Sequence, residues 1–286
     1  MGRRFKFIIP ITIVTVCISM LYFTTLNTDY STLTTSTLPS IDGTFSCNTW
    51  KNFSYINISK YEKCLKQKRD DSFWSVDKIR HTAFKNLLNS SSLIIEIGGN
   101  TGLDTSQFIT LYNSSIISFE PLVTMSEALK EKFKTNSKIE IQPYGLGNRA
   151  RNLSIELFDS NNMGTSIFRK LSSKNSSKIQ QIQLLDIVQV IDNIRKTKTK
   201  YGIIDMISIN CEGCEFEILP ALILNNLTQY FRIIQFASHM GFLAESPCIY
   251  CQIEQALERT HQIIYHYTML WEAWVLKSKI ENNILS

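Results

Sequence analysis

Two short runs carry the residue types that could do chemistry. The first is Glu96-Ile97-Gly98-Gly99-Asn100-Thr101-Gly102. An acid sits at the end of an apolar run, a glycine follows, and a second glycine comes four residues later. The first glycine permits a sharp turn and close approach of a ligand. The N–H groups beyond it open a helix and can hold an anion. Glu120-Pro121 then stands at the tip of the next β-branched run, where an acid can accept both hydroxyls of a ribose. A dinucleotide fingerprint would read G-x-G-x-x-G, whereas this chain has G-x-x-x-G, so NAD is a poor fit. The E-x-G-x-x-x-G form suits S-adenosylmethionine, with its amino-acid end over the glycine turn and its ribose on Glu120.

The second run is Ser208-Ile209-Asn210-Cys211-Glu212-Gly213-Cys214-Glu215, and His239 follows the next apolar run. Methyl transfer is an in-line displacement in which the protein aligns the nucleophile. A hydroxyl is a weak nucleophile, so a base helps in the transition state. Asn210 lies in the right place but its amide takes no proton at neutral pH. His239 is the best base and Glu212 the next, against the plainer reading of a strand-end histidine and of helix N-terminal carboxylates. His81, His261 and His266 read as structural or exposed. Tyr265, Tyr267, Trp271 and Trp274 read as core aromatics, and Lys196, Lys198 and Lys200 as a solvated loop.

The elements that must position these residues alternate. Strands are expected at Leu93–Ile97, Ile116–Phe119, Ile139–Gln142, Ile203–Ile209 and Arg232–Ala237, with a closing β pair at Ile263–Tyr267 and Ala273–Leu276. Helices are expected at Leu103–Leu111, at Thr124–Phe133 and from about Glu215. Near-continuous apolar strands alternating with helices imply an α/β fold: a doubly wound, mostly parallel Rossmann-like sheet covered on both faces, closed by an antiparallel strand pair. Ligands of such sheets bind outside the carboxyl ends of the strands.

The stretches IIEIGGNTG (94–102), ISFEP (117–121), YGLGNRARNLSIEL (144–157), QLLDIV (183–188) and IDMISINCEGCEFEIL (204–219) occur in the order found in the FkbM family of class I S-adenosylmethionine-dependent methyltransferases, which the chain resembles over roughly residues 85 to 240. The resemblance implies an O-methyltransferase acting on a hydroxyl of a sugar or related acceptor. It implies a cofactor site of Glu96, Gly98, Gly99, Asn100, Thr101, Gly102, Glu120, Pro121, Tyr144 and Gly145, and an acceptor side of His239, Glu212 and Asn210. No metal site is implied. The family's usual Lys-Ile-Asp is Ser208-Ile209-Asn210 here, Cys211 and Cys214 stand where Val and Ala are common, and an acid before His239 is missing. A catalytically inactive, binding-only version of the fold is therefore the alternative. A glycosyltransferase would want a D-x-D metal motif, and the one adjacent acid pair, Asp70-Asp71, lies ahead of the domain.

Composition fits this outline. The chain has 286 residues, 44% hydrophobic and 19% charged, which excludes a disordered chain. Its net charge of +5 is too thin to suggest a nucleic-acid partner. The apolar run 7–23 follows Arg3, Arg4 and Lys6 and spans roughly 25 Å as a helix, enough for a thin bilayer. The expected organisation is a cytosolic tail at 1–6, a transmembrane signal anchor at 7–23, a Ser/Thr-rich stem at 24–46, a helical, disulfide-bearing segment at 47–84, and the methyltransferase-like domain at 85–286. By the positive-inside rule the domain is lumenal, as in a single-pass type II protein of the Golgi or another secretory compartment. A cleaved signal peptide ending near Cys17 and Ser19 is the competing reading. Sequons at Asn52, Asn57, Asn89, Asn113, Asn152, Asn175 and Asn226 suit a lumenal glycoprotein. Six cysteines outside the apolar run permit fifteen pairings. Cys47 with Cys64 is the first expectation. The pairs Cys211/Cys214 and Cys248/Cys251 could form disulfides, locally or with one another, or less readily a four-cysteine zinc site.

Overall fold

The computed structural model describes residues 45–158, 164–171 and 178–278. The expected anchor, nearly all of the stem, and Asn175 lie outside them. Among the described residues no helix is long and apolar enough to cross a membrane.

After a short 3-10 turn, helices α1 (Ile58–Leu65) and α2 (Phe73–Thr82) precede the sheet. Then come β1 (Leu93–Ile97), α3 (Leu103–Tyr112), β2 (Ser115–Phe119), α4 (Val123–Phe133), β3 (Ile139–Gln142), β4 (Gly145–Gly147), β5 (Arg151–Glu156), β6 (Ile179–Asp186), α5 (Ile187–Thr197), β7 (Ile204–Ile209), α6 (Glu215–Leu224), β8 (Phe231–Ala237), α7 (Ser246–Leu257), β9 (His261–Tyr267) and β10 (Trp271–Leu276). The main sheet has the order β3-β2-β1-β7-β8-β10-β9. Pairing is parallel from β3 to β8, and β10 runs antiparallel to both β8 and β9. The doubly wound sheet and its antiparallel closing pair are thus as expected.

The burial pattern explains why these runs are strands. Every residue of β1 is buried, as both faces are covered. Ile94, Ile95, Met206, Ile207 and Ile209 are fully enclosed. Each such aliphatic side chain contributes about 1.5–3 kcal/mol on burial. Strand order reverses between β1 and β7, so the crevice at their carboxyl ends opens there. The glycine turn after β1 and the cysteine-bracketed loop after β7 are the two lips of that crevice.

A second sheet, β4-β6-β5, has no counterpart among the expected strands, and neither does α7. Its Ile155, Ile182 and Leu184 pack with Leu122 into a separate apolar cluster beside the crevice. Arg151 of β5 grips Glu217 of α6 with two hydrogen bonds of 2.6 and 2.7 Å, which fixes this sheet against the main body.

The cysteine pairing corrects the first expectation. Cys47 bonds Cys248, and Cys64 bonds Cys251. The reason lies in α7. Cys248 and Cys251 are three residues apart on one helix face, which also presents Gln252, Gln255 and Glu258 to the N-terminal segment. Thr49 donates to Gln252, the Asn57 N–H to Gln255, and Lys60 to Glu258. The segment lies along α7, so each of its cysteines meets the helix rather than the other. Cys211 and Cys214 bond each other. With all six sulfurs paired, the four-cysteine zinc arrangement is not formed. The segment ahead of β1 is also part of one compact unit with the rest of the described chain: Val76, Phe84 and Leu88 belong to the central core.

Candidate active site

A cavity of about 480 Å³ fills the crevice between β1 and β7. Gly98, Gly99, Asn100, Thr101, Glu120, Pro121, Gly145, Asn210, Glu212 and His239 all line it, so most of the residues singled out in the sequence come together. Glu96, Gly102 and Tyr144 do not line it.

The glycine turn is built by close packing. Gly98 has φ +93°, and a Cβ there would fall 2.0 Å from the Asn210 carbonyl oxygen. Only glycine permits this approach of the β1 and β7 ends. The turn spends its own N–H groups. Gly98 and Gly99 donate to the Phe119 carbonyl, Gly102 to the Gly99 carbonyl, and Asn100 to Glu120 Oε2 at 2.8 Å. The expectation of an anion cradle is therefore corrected at these four positions. The first turn of α3 carries Asp104, which already supplies the negative charge that a helix N-terminus favours.

Glu120 is buried at the tip of β2 with each carboxylate oxygen accepting one backbone N–H, from Asn100 and from Leu122. Each oxygen keeps lone-pair capacity toward the cavity. Burial nonetheless raises its pKa above the ordinary carboxylate range, opposed by those two N–H bonds.

Glu96 lies behind the turn. Thr105 donates to its Oε2 at 2.5 Å and Ser118 donates to the same oxygen, while Oε1 has no hydrogen-bond partner. Burial, reinforced by nearby Asp104, pushes its pKa up to about 8. Its place is the frame of the turn. The neighbouring strand position in register is Ser208, whose hydroxyl is bonded to Gln235 in the core.

Three charged residues of the cavity lining were not anticipated: Asp77, Arg80 and Asp104. Arg80 of α2 donates to Asp104 at 2.9 Å and to Asp77 at 3.0 Å, and its guanidinium lies 4.7 Å from the Trp271 ring centre. His81 Nε2 is 2.8 Å from Asp104. Burial works against ionised Asp104, but hydrogen bonds from His81 and Asn210 and the charge of Arg80 outweigh it and hold its pKa low. An acid two residues after Gly102 was the legible signal. Arg80 and His81 carried none, because their helix lay outside the expected domain.

On the opposite lip, His239 follows β8. Its Nδ1 is 3.0 Å from Glu215 Oε1, which also accepts the His239 backbone N–H at 2.7 Å, and its Nε2 is 3.7 Å from Glu212 Oε2. Burial lowers the imidazole pKa, yet Glu215 and then Glu212 outweigh it and the net shift is upward. The other histidines lie elsewhere. His261 is buried on the Phe231 carbonyl. His266 sits between Glu254 and Glu272, whose hydrogen bonds push its pKa up to about 10. Trp271, Trp274 and Tyr265 are core residues, as expected, although Trp271 also reaches the cavity wall.

No family model matches the chain. No curated protein matches it either. Solved structures with partial likeness include a putative rRNA methylase from Clostridium thermocellum, at 9% identity over 74% of this chain and 98% of that one, with a TM-score of 0.43. The O-methyltransferase from Bacillus cereus, solved with SAH, aligns at 10% identity over 79% and 94%, TM-score 0.41. A dimethyladenosine transferase from Plasmodium falciparum aligns at 11% identity over 76% of this chain and 66% of that one, just under two thirds of its length, TM-score 0.39. Likeness this distant leaves what the cavity can do to its own geometry.

Proposed function

We propose that this chain is an S-adenosylmethionine-dependent O-methyltransferase of FkbM type. We further propose that it is held by residues 7–23 as a single-pass type II membrane protein and acts on a glycan hydroxyl in the secretory-pathway lumen. The observation that carries the cofactor is Glu120, an acid fixed by two backbone N–H groups at the mouth of an acid-rich cavity. Asp77, Asp104, Glu120 and Glu212 line that cavity against Arg80 and His239. A cationic nucleoside suits such a lining. A dinucleotide would bring a pyrophosphate to a turn that has spent four of its N–H groups, and an RNA acceptor would bring phosphates to the same acids.

When bound, S-adenosylmethionine supplies an electrophilic methyl group. Glu120 accepts the ribose hydroxyls, the turn at 98–102 sets the depth of the cavity, and Asp104 and Asp77 offer charge to an ammonium. Neutral His239 takes the acceptor's proton through Nε2 while Glu215 holds Nδ1, and Glu212 compensates the imidazolium that forms. The lumenal setting is supported by three disulfides and by the exposure of Asn57, Asn89, Asn113, Asn152 and Asn226.

Calorimetry with S-adenosylmethionine, followed by tritiated methyl transfer to a mixed glycan panel, tests the reading. Absence of binding would remove the cofactor. An unchanged mobility after peptide-N-glycosidase would remove the lumenal placement. A second reading, a binding protein without turnover, is favoured by Asn210 in place of an ionisable acid and by the imidazolium-stabilising carboxylates around His239. Binding with no transfer to any acceptor would select it.

A further inference from the structure

The wall of the cavity after β7 is closed by a covalent ring. Cys211 and Cys214 are disulfide-bonded with their Cα atoms 5.4 Å apart, and both line the cavity. Between them Glu212 has φ +55° and Gly213 φ +110°. Glu212 thus occupies the left-handed region, which a residue with a side chain adopts under constraint from its surroundings. Glu215, the residue after the ring, is fully buried. It accepts the Gly213 N–H at 3.0 Å as well as both donors of His239 described above. The ring therefore sets one carboxylate on each side of a single imidazole. The other two disulfides do not line the cavity and join the N-terminal segment to α7.

We propose that the Cys211–Cys214 bridge is a positioning device for the acceptor-side base: it holds Glu212 in its left-handed conformation and the Gly213 N–H on Glu215, so that His239 is presented to the cavity in one orientation only while the bridge is oxidised. The purpose of the base rests on the methyltransferase reading, whereas the coupling of bridge to imidazole does not. Opening the bridge takes two electrons and two protons from a dithiol reductant, which leaves as its own disulfide while the two sulfurs become thiols. The turn can then relax to right-handed backbone, carrying Glu212 away from Nε2. The site would work in an oxidising compartment and weaken in a reducing one.

The charged groups facing His239 are Glu215 from the first turn of α6, Glu212 from the loop after β7 and Arg69 from the connection between α1 and α2. The test is the titration of His239, read by NMR on the histidine-labelled full chain in detergent and assigned with His239→Gln. It compares wild type, Cys211→Ser/Cys214→Ser, the more apolar Cys211→Val/Cys214→Ala, and Cys47→Ser/Cys248→Ser as a control bridge. The expected result is a fall of about half a pKa unit or more in both Cys211/Cys214 variants and none in the control. Affinity for S-adenosylmethionine by calorimetry should stay within about threefold, since the Glu120 side is untouched. An unchanged His239 titration in a folded variant would reduce the bridge to a staple. A collapse of affinity alongside the shift would make the loop part of the cofactor wall, and loss of folding in both variants would make the bridge a folding element; either overturns the proposal. Wild type that binds no S-adenosylmethionine removes the proposed function, while the titration still decides the bridge.

Discussion

The two lips of the cavity are built in opposite ways. The lip after β1 and β2 is held by close backbone packing: glycines at 98 and 99, the Phe119 carbonyl beneath them, and Glu120 tied to the Asn100 N–H of the turn and to the Leu122 N–H two residues beyond it. The lip after β7 and β8 is held by a disulfide and a buried carboxylate gripping a histidine 24 residues further on, while each lip carries one left-handed non-glycine residue, Asn100 and Glu212. The first construction is backbone packing across three strand ends, and it tolerates no side chain at Gly98. The proposed role of the bridge makes the second lip responsive to oxidation, and the imidazole of His239 makes it responsive to protonation. Under the proposed function, this difference sets a rigid cofactor seat beside an adjustable acceptor seat.

The sharpest way to break that division is at His239. His239→Ala should leave affinity for S-adenosylmethionine within a few fold and lower methyl transfer by about 10²–10⁴-fold, the ordinary worth of a positioned base. If affinity falls as far as turnover, the two lips are one site. The pH profile adds a direction. Protonated imidazole takes no proton, so the rate should rise with pH through a midpoint above the ordinary histidine value, because Glu215 and Glu212 raise the pKa. Glu212→Gln removes one of these carboxylates and should move the midpoint to lower pH, by about half a unit. A midpoint that does not move would separate Glu212 from the imidazole.

The rigid lip is tested at Glu120. Glu120→Ala removes a charged acceptor for two hydroxyls and should weaken S-adenosylmethionine binding by about 10²-fold, with the same loss for the demethylated product. Loss for one and not the other, read by calorimetry, would mean that Glu120 senses the sulfonium charge rather than the ribose. Turnover at saturating cofactor should change little, which is the converse of the His239 pattern.

The same asymmetry decided what could be read in advance. Glu120 and the 98–102 turn lie where apolar strands end, and strand ends are visible as ends of β-branched runs. His239 was visible for the same reason. Arg80 and Asp77 were not, because they come from α2, and nothing in its sequence says that a helix ahead of the sheet returns to the carboxyl ends of β1 and β7. The second sheet escaped because β4 is three residues long and β5, although it alternates polar and apolar residues, buries only Ile155. The cysteines misled through proximity: Cys47 and Cys64 are near in sequence, while the i, i+3 spacing of Cys248 and Cys251 was the signal of a helix face ready to take both. Glu96 was placed correctly on its strand but assigned to the ligand, since burial of its carboxylate behind Thr105 and Ser118 depends on the packing of α3 and β2.

Glu96 reads on stability rather than on binding or turnover. Its ordinary pKa of 4.5 is raised to about 8 in the folded chain, first by burial and then by Asp104, against hydrogen bonds from Ser118 and Thr105. Between those two values the folded protein keeps a proton that the unfolded chain has released. Stability from this group is therefore complete below about pH 4.5 and is lost as pH rises through about 8, at up to about 1.4 kcal/mol per pH unit. Glu96→Gln keeps a carbonyl for both hydroxyl donors and cannot ionise, so its unfolding free energy should lack this slope. It should also start lower at pH 5, because its amide N–H₂ falls where Oε1 has no partner. The two curves should converge as pH rises from 5 to 8.5 in urea titrations. Curves that stay parallel would mean that Glu96 is already ionised at pH 5. The rigid lip would then hold a second buried charge, and its independence from pH, on which the contrast between the two lips depends, would have to come from compensation elsewhere in the turn.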